Sequence, residues 1–164
     1  MGDHFSELIV ARKPRPTDAI FKVLLIAGTV ISALLGLLVS PLCLILLLVF
    51  VIADHFLFPR FNVEYEYTYV NGEIDIAAVY SKQSRKNLMQ IDAENMECIA
   101  PRGSHHLDSY GETFKPVDYS SGYEDQKAYV IVLGGADSKK VILHLDDTML
   151  EDLRWRRPGK VFFD

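Results

Sequence analysis

Hydrophobic and polar positions are sharply segregated along this chain of 164 residues. The 31 residues from Val23 to Ala53 include no Asp, Glu, Lys or Arg. A single helix of that length would run about 46 Å, well beyond the roughly 30 Å hydrocarbon core of a bilayer. Ser40 places a capping hydroxyl directly before Pro41, and this combination favours the start of a new helix. The pattern therefore predicts a transmembrane helical hairpin at residues 19–58, with spans at about 19–39 and 41–58.

Positive charges flank the predicted hairpin on both sides. Arg12, Lys13, Arg15 and Lys22 precede the first span, Arg60 follows the second, and the connection between the spans has neither Lys nor Arg. Because Lys and Arg favour the cytoplasmic side, we predict a two-pass protein of the plasma membrane with both termini in the cytoplasm. A cleaved signal peptide is the alternative, but the apolar stretch is long for one and a second apolar segment follows it directly.

Residues 1–18 form the predicted cytoplasmic N-terminal tail. An apolar cluster at residues 5–10 stands before Pro14 and Pro16, so this segment is interpreted either as a short amphipathic stretch on the inner leaflet or as a loosely ordered tail. At the other end of the hairpin, Asp54 and His55 are placed in the last turn of the second span, where side chains reach the headgroup region. A proton-relay role is the alternative for this pair.

After Arg60 the pattern changes to strict alternation, which is typical of half-buried strands. Tyr65, Tyr67 and Tyr69 share one face of the first strand. The pair Asn71-Gly72 predicts a tight hairpin turn into the second strand, because both residues accept positive φ. Further apolar runs predict strands at 88–92, 96–100, 128–133 and 141–145, a polar turn at 81–86, and a long loop at 102–126 that leaves room for a short strand at 112–115.

A short helix and an apolar tail complete the predicted domain. Thr148 and Glu151 stand three residues apart, a spacing that matches a capping box at a helix N-terminus. The pair Pro158-Gly159 ends this helix, and residues 161–163 are predicted to pack back on the sheet. The predicted fold class is an α+β membrane protein, with a two-helix transmembrane hairpin followed, at residues 62–164, by a small antiparallel β-barrel or curled sheet and a short C-terminal helix.

The charge balance and the cysteine content exclude several classes of protein. The net charge is −5, and the part from Asp54 onward carries 13 basic and 19 acidic residues, a balance of −6. This balance argues against nucleic-acid binding driven by bulk positive charge. The two cysteines, Cys43 and Cys98, are too few for a disulfide framework or for a metal site of paired cysteines.

Two basic clusters are the candidate contact sites for a lipid headgroup or a protein partner. The first lies in the predicted polar turn and the second at the end of the predicted C-terminal helix: Lys82, Arg85 and Lys86, and Arg154, Trp155, Arg156 and Arg157. Clustered cations beside a membrane favour anionic headgroups, and a tryptophan suits the interface. The favoured interpretation of the second cluster is plainer, with solvated arginines at a helix C-terminus and Trp155 packed on the domain.

The sequence predicts no catalytic, cofactor-binding or metal-binding residue. His105 and His106, with Asp108 and Glu112 beyond them, are the only clustered metal-ligand types, and a small metal-dependent hydrolase on this loop is an alternative of low weight. His144 alternates with apolar neighbours and is predicted to face solvent. No phosphate-binding loop, nucleophile elbow or zinc-protease motif is present in the sequence.

Several segments resemble an uncharacterised family of small bacterial membrane proteins. The similarity lies in residues 64–67 and 70–76, in the pair Arg85-Lys86, in residues 99–101, and in residues 147–153 before 160–162. The resemblance implies a helical hairpin followed by a cytoplasmic domain similar to bacterial pleckstrin-homology-like domains, and it implies no activity, ligand or partner. The predicted function is a non-catalytic, membrane-anchored module that binds a protein, a peptide or itself, with lipid-headgroup sensing as the alternative.

Overall fold

The computed structural model describes residues 5–111, 116–135 and 138–163, and it divides into two compact units. We call them the hairpin unit, made of residues 13–63 and 80–84, and the β-unit, made of residues up to Arg12, residues 64–79 and residues from Arg85 onward. The predicted short strand at 112–115 lies outside the described residues.

The hairpin unit consists of two long helices joined by a tight bend. Helix α1 spans Pro16–Leu38, a single 3₁₀ turn spans Pro41–Cys43, and helix α2 spans Leu44–Phe61. The Ser40 hydroxyl accepts a hydrogen bond from the Leu42 amide at 3.3 Å, and Pro41 takes the first position of the turn. The predicted break between two apolar segments is confirmed. Both helices are long and apolar enough to cross a membrane, a statement about length and composition alone.

Small residues at four-residue spacing allow α1 and α2 to approach closely. A Cβ atom on Gly28 would lie 2.4 Å from the Phe50 ring, and one on Gly36 would lie 2.4 Å from the Leu44 side chain. Between them, the buried Ser32 hydroxyl donates to the Gly28 carbonyl at 2.6 Å. This spacing of small residues is typical of tightly packed apolar helices.

Helix α2 continues past the end predicted for it. It runs through Pro59 to Phe61, so Asp54 lies about 10 Å before its end at about 1.5 Å per residue. Asp54 therefore lies farther from the end of the helix than the sequence predicts. Its Oδ2 atom instead accepts a hydrogen bond from the Thr29 hydroxyl of α1 at 2.7 Å.

The N-terminal segment is a strand, and both interpretations of it as an amphipathic stretch or a loose tail are wrong. Strand β1 (Phe5–Ala11) pairs antiparallel with β2 (Val63–Val70), with Phe5 opposite Val70 and Ala11 opposite Glu64. The apolar cluster of residues 5–10 is thus an edge strand, because the neighbouring strand supplies the backbone partners that the segment lacks alone.

The first sheet has four strands in the order β1-β2-β3-β4, with β3 at Glu73–Tyr80 and β4 at Ser84–Asp92. Asn71 and Gly72 both have positive φ, 49° and 100°, which confirms the predicted turn between β2 and β3. Strand β4 begins inside the predicted polar turn, so that turn is shorter than predicted.

The second sheet has the order β5-β7-β8-β6, formed by β5 (Met96–Pro101), β6 (Pro116–Asp118), β7 (Tyr129–Leu133) and β8 (Lys139–Leu143). Strand β6 pairs parallel with β8, which corrects the prediction that all strands are antiparallel. The described residues form two separate four-stranded sheets and no closed barrel. Sequence alternation identifies a buried face but does not specify whether the sheet closes.

Helix α3 (Asp147–Arg156) follows the second sheet and is capped differently from the prediction. The Asp146 side chain accepts a hydrogen bond from the Met149 amide at 2.7 Å, so Asp146 is the N-cap and the predicted capping box from Thr148 to Glu151 is wrong. The Ser6 hydroxyl of β1 also donates to the Asp146 carboxylate. Beyond α3 the chain returns to the sheet, where the Ile99 amide donates to the Lys160 carbonyl at 2.8 Å.

Candidate functional site

The first predicted basic cluster is divided between the two units. Lys82 lies in the turn of the hairpin unit with a φ of 59° and is exposed, whereas Arg85 and Lys86 lie on strand β4 of the β-unit. The Arg85 guanidinium forms an ion pair with Glu66 of β2 at 2.7 Å. The sequence places these three cations in one turn, whereas the structure assigns Lys82 to one unit and Arg85 and Lys86 to the other.

The second predicted cluster lies on α3, and its members have different surroundings. Arg156 Nε donates to the Asp152 carboxylate at 2.7 Å. The Arg157 guanidinium donates to the Met96 carbonyl of β5 at 2.9 Å. Arg157 therefore ties the end of α3 to β5, whereas Arg156 pairs with a carboxylate of its own helix. The interpretation that all arginines of this cluster are solvated is wrong.

Trp155 projects from α3 into solvent, with 68% of its surface exposed. The prediction that Trp155 packs on the domain is therefore wrong. The buried face of α3 is formed instead by Met149, Leu150 and Leu153, which leaves Trp155 on the opposite side. A large aromatic side chain exposed on a rigid helix is typical of contact surfaces.

A shallow cavity of about 220 Å³ lies along the same helix. Arg154 forms one wall, and its guanidinium carbon lies 5.3 Å from the centre of the Phe163 ring. Asp147 and Glu151 line the cavity from α3, and Leu150 lies at its base. We call this cavity together with Trp155 the α3 surface. It combines two aromatic rings, a cation and two carboxylates.

A buried ionic network fixes the orientation of α3. Asp152 is only 5% exposed, and its carboxylate accepts hydrogen bonds from the Tyr69 hydroxyl and from Arg156. Burial raises the pKa of Tyr69 above its ordinary value, and the hydrogen bond to Asp152 raises it further. The hydrogen bond to Asp152 likewise raises the pKa of Arg156. The network ties α3 to strand β2, and the α3 surface depends on it for its position.

The described part of the histidine loop is a short helix whose second histidine packs on an aromatic ring. His105 to Tyr110 form a 3₁₀ helix, and the His106 ring stacks on Phe162 with centroids 3.7 Å apart. Among residues 5–111, 116–135 and 138–163, no three His, Cys, Asp or Glu side chains are grouped to hold a metal ion. Glu112, the fourth residue of the predicted group, lies outside the described residues.

His144 is buried, and the prediction that it faces solvent is wrong. Its Nδ1 atom lies 2.7 Å from the Lys127 carbonyl, and its Nε2 atom accepts a hydrogen bond from the Ser121 amide at 3.0 Å. In this geometry Nδ1 is positioned to donate to the carbonyl and Nε2 to accept from the amide. The His144 ring pins the loop before β7, and Ser121 is itself buried, so this pair is structural. Nothing in the local sequence signals these long-range partners.

The comparisons with known proteins are consistent with this architecture. A family described as Bacterial PH-like domain (DUF6106) matches residues 2–163, which is nearly the whole chain. No curated protein and no solved structure matches the chain.

Proposed function

We propose a function from one premise: this chain belongs to the family of bacterial PH-like domains. The protein is a non-catalytic interaction module, and its two helices anchor it in the plasma membrane. Both termini lie in the cytoplasm, and the β-unit binds a protein or peptide partner beside the inner leaflet through the α3 surface.

The anchor is supported by the length, composition and flanking charges of the two helices. Both are apolar enough to cross a bilayer, and neither Lys nor Arg occurs between Val23 and Ala53. Arg12, Lys13 and Arg15 before α1 and Arg60 in the last turn of α2 support a cytoplasmic position for both ends of the hairpin by the positive-inside rule.

The exposure of Trp155 is the single observation that carries the binding role. Tryptophan and arginine dominate the binding energy of protein interfaces. A soluble surface gains nothing from a tryptophan that is 68% exposed, whereas an interface that covers it removes a large apolar area from water. The carboxylates of Asp147 and Glu151 line the cavity on the same helix and favour a partner that brings a basic residue as well as an apolar one.

The alternative of lipid-headgroup sensing by the basic clusters has weaker support. Arg85, Arg156 and Arg157 are each engaged with an acceptor inside the β-unit. The chain from Asp54 onward is also acidic overall, which disfavours broad adhesion to an anionic membrane. The hydrolase alternative is weaker still, because His106 is stacked on Phe162.

Site-specific photo-crosslinking in the native membrane tests the proposal. A photoreactive phenylalanine replaces Trp155 in the full-length protein, and the same residue at Tyr123, which is also exposed, serves as the control. We expect a discrete adduct, with a partner or with a second copy, from position 155 and none of the same mass from position 123. Excess protein of native sequence should compete the adduct away, and a Trp155→Ala protein should not. Identical adduct patterns at both positions, or none at 155, would contradict the proposal.

A further inference from the structure

The two sheets have four edge strands, and these differ in how they are protected from pairing with another chain. The edges are β1 and β4 in the first sheet, and β5 and β6 in the second. An edge strand presents backbone N–H and C=O groups that a strand from another molecule can pair with. Proteins block such pairing with edge cations, with a covering segment, or by keeping the edge strand very short.

Three of the four edges carry one of these protections. Strand β4 has two exposed cations, Arg85 and Lys86. Strand β5 is covered by the C-terminal segment, where the Phe162 amide donates to the Ile99 carbonyl at 2.8 Å. Strand β6 is only three residues long. These edges are therefore poor templates for a further strand.

Strand β1 has none of these protections among the residues that the structure describes. Its seven residues pair with β2 without a register shift, and they include no Pro, Lys or Arg. Glu7 is the one charged residue of the strand. The apolar side chains of Phe5 and Ile9 are 59% and 57% exposed. An uninterrupted edge strand with exposed apolar side chains is a template for strand pairing.

The turn after β2 determines which backbone groups of β1 face the free edge. This turn has two residues, so it directs the backbone groups of Val70 toward β3. Farther along the same two strands, the Ser81 amide donates to the Asn62 carbonyl at 2.9 Å, in phase with this pairing. Phe5 lies opposite Val70, so the backbone groups of Phe5 face away from β2. By alternation, the residues of β1 whose N–H and C=O groups face the free edge are Phe5, Glu7, Ile9 and Ala11.

The sequence of β1 is complementary to itself in one antiparallel register. When two copies pair about Leu8, all seven residues have a partner, and Phe5 lies opposite Ala11 of the second copy. Glu7 then lies opposite Ile9 and not opposite another carboxylate, so no like charges are directly paired. Every residue with free-edge backbone groups meets another such residue, as an antiparallel ladder requires. The Phe5 ring also has Ile9 of the second copy as a diagonal neighbour, a separation that an aromatic side chain spans.

We propose that two copies of this chain pair through β1, antiparallel and centred on Leu8, and so join their two first sheets into one continuous sheet. The contact is a twofold interface in which each copy uses the same strand, so it closes at a dimer. The protected edges β4, β5 and β6 prevent growth beyond two copies. This pairing is independent of the α3 surface and of the membrane anchor.

Cross-linking between cysteines on β1 tests the register. Full-length Phe5→Cys and Ala11→Cys proteins, with different tags and with Cys43→Ser and Cys98→Ala in both, are mixed in mild detergent and treated with a short thiol-specific cross-linker. In the proposed register, position 5 of one copy and position 11 of the other have Cα atoms about 5.5 Å apart. Positions of the same number are about 20 Å apart, since six residues separate them along the strand. We expect a cross-linked dimer in the mixture and none in either variant alone.

Sedimentation equilibrium in density-matched detergent tests the backbone pairing with the native cysteines in place. Ile9→Pro removes an N–H group that faces the free edge, and an edge strand accepts proline at such a position. Ile9→Val keeps the N–H group and serves as the matched control. We expect a monomer–dimer equilibrium for the native sequence, a similar Kd for Ile9→Val, and a Kd about tenfold or more higher for Ile9→Pro, which loses two hydrogen bonds per dimer. Unchanged amide exchange along β2 shows that Ile9→Pro leaves the β1–β2 ladder intact.

Three outcomes would overturn the inference. The first is a native protein that sediments as a single chain at every concentration. The second is cross-linking that is as efficient in either variant alone as in the mixture. The third is a dimer that Ile9→Pro leaves unchanged; if Trp155→Ala dissociates that dimer, the contact lies on the α3 surface, and the proposed function stands while the β1 pairing fails.

Discussion

Tyr69→Phe is the sharpest test of the network that positions α3. The Tyr69 side chain is fully buried on β2, and its hydroxyl donates to the buried Asp152 carboxylate. Phenylalanine keeps the ring and its packing but leaves Asp152 with one donor fewer. A hydrogen bond to a charged group contributes about 1.5–3 kcal/mol, so we expect the free energy of unfolding of the β-unit to fall by that amount near pH 8.

The same substitution makes a prediction about alkaline pH. Burial, with a further contribution from Asp152, raises the pKa of Tyr69 above its ordinary value of 10.0, which holds in the unfolded chain. The stabilisation that Tyr69 contributes is therefore fully present well below pH 10. It is lost as the pH rises above 10, because Tyr69 then ionises in the unfolded chain before it ionises in the folded protein. At pH 11 the difference between the native sequence and Tyr69→Phe should be smaller by about 1.4 kcal/mol. Burial also raises the pKa of Tyr67. Its effect on the free energy of unfolding is the same in both proteins and cancels in the difference between them.

The assay is urea unfolding of the full-length protein in mild detergent, followed by near-ultraviolet circular dichroism at several pH values from 8 to 11. Tyr123→Phe is the matched control, because the side chain of that tyrosine is exposed. A loss below about 0.5 kcal/mol at pH 8, within the usual range of surface substitutions, would refute the reasoning. So would a difference that stays constant from pH 8 to 11.

Two further substitutions and one deletion test separate parts of the fold. Gly28→Ile forces the Phe50 ring away from α1 and should destabilise the hairpin by about 1–3 kcal/mol, seen as a lower melting temperature in detergent. His144→Phe leaves the buried Ser121 amide without an acceptor and should cost about 1–3 kcal/mol in urea unfolding, with faster hydrogen exchange before β7. Deletion of residues 1–11 removes β1 and should speed amide exchange along β2 but not along β8; unchanged exchange in β2 would contradict the pairing.

The parts of the fold that the sequence predicts are those encoded by neighbouring residues. The bend at Ser40 and Pro41 and the turn at Asn71 and Gly72 need only local capping and local φ preferences. The alternation of β2 likewise follows from which face of one strand is buried. Each of these features is complete within a few residues, so composition and periodicity are sufficient to find it.

The missed features depend on partners far away in the chain. Strand β1 pairs with a segment that follows both helices, and β6 pairs parallel with β8 across a long loop. In each case the segment has too little periodicity to be recognised without its neighbour. Without these two pairings, the sequence predicts a single barrel or curled sheet and not two separate sheets.

The sequence predicts where the cations of the candidate site lie along the chain, but it does not predict which acceptor each cation binds. Sequence identifies Arg156 and Arg157 as cations at a helix end, yet their acceptors are a buried carboxylate one turn earlier and a carbonyl on β5. The exposure of Trp155 could not be read from its apolar character, because the helix buries the face of Met149 and Leu153 instead. The four-residue spacing of Gly28, Ser32 and Gly36 is a signal in the sequence that the prediction does not use.

The orientation of the chain in the membrane tests the central claim most directly. A fluorescent protein that folds only in the cytoplasm and an alkaline phosphatase that is active only outside it are each fused after Asp164 of the full-length chain. An anchor of two helices that carries the β-unit at the inner face predicts fluorescence in the carbonate-resistant membrane fraction and an inactive phosphatase. Active phosphatase, or fluorescence that alkaline carbonate releases from the membrane, would contradict the account.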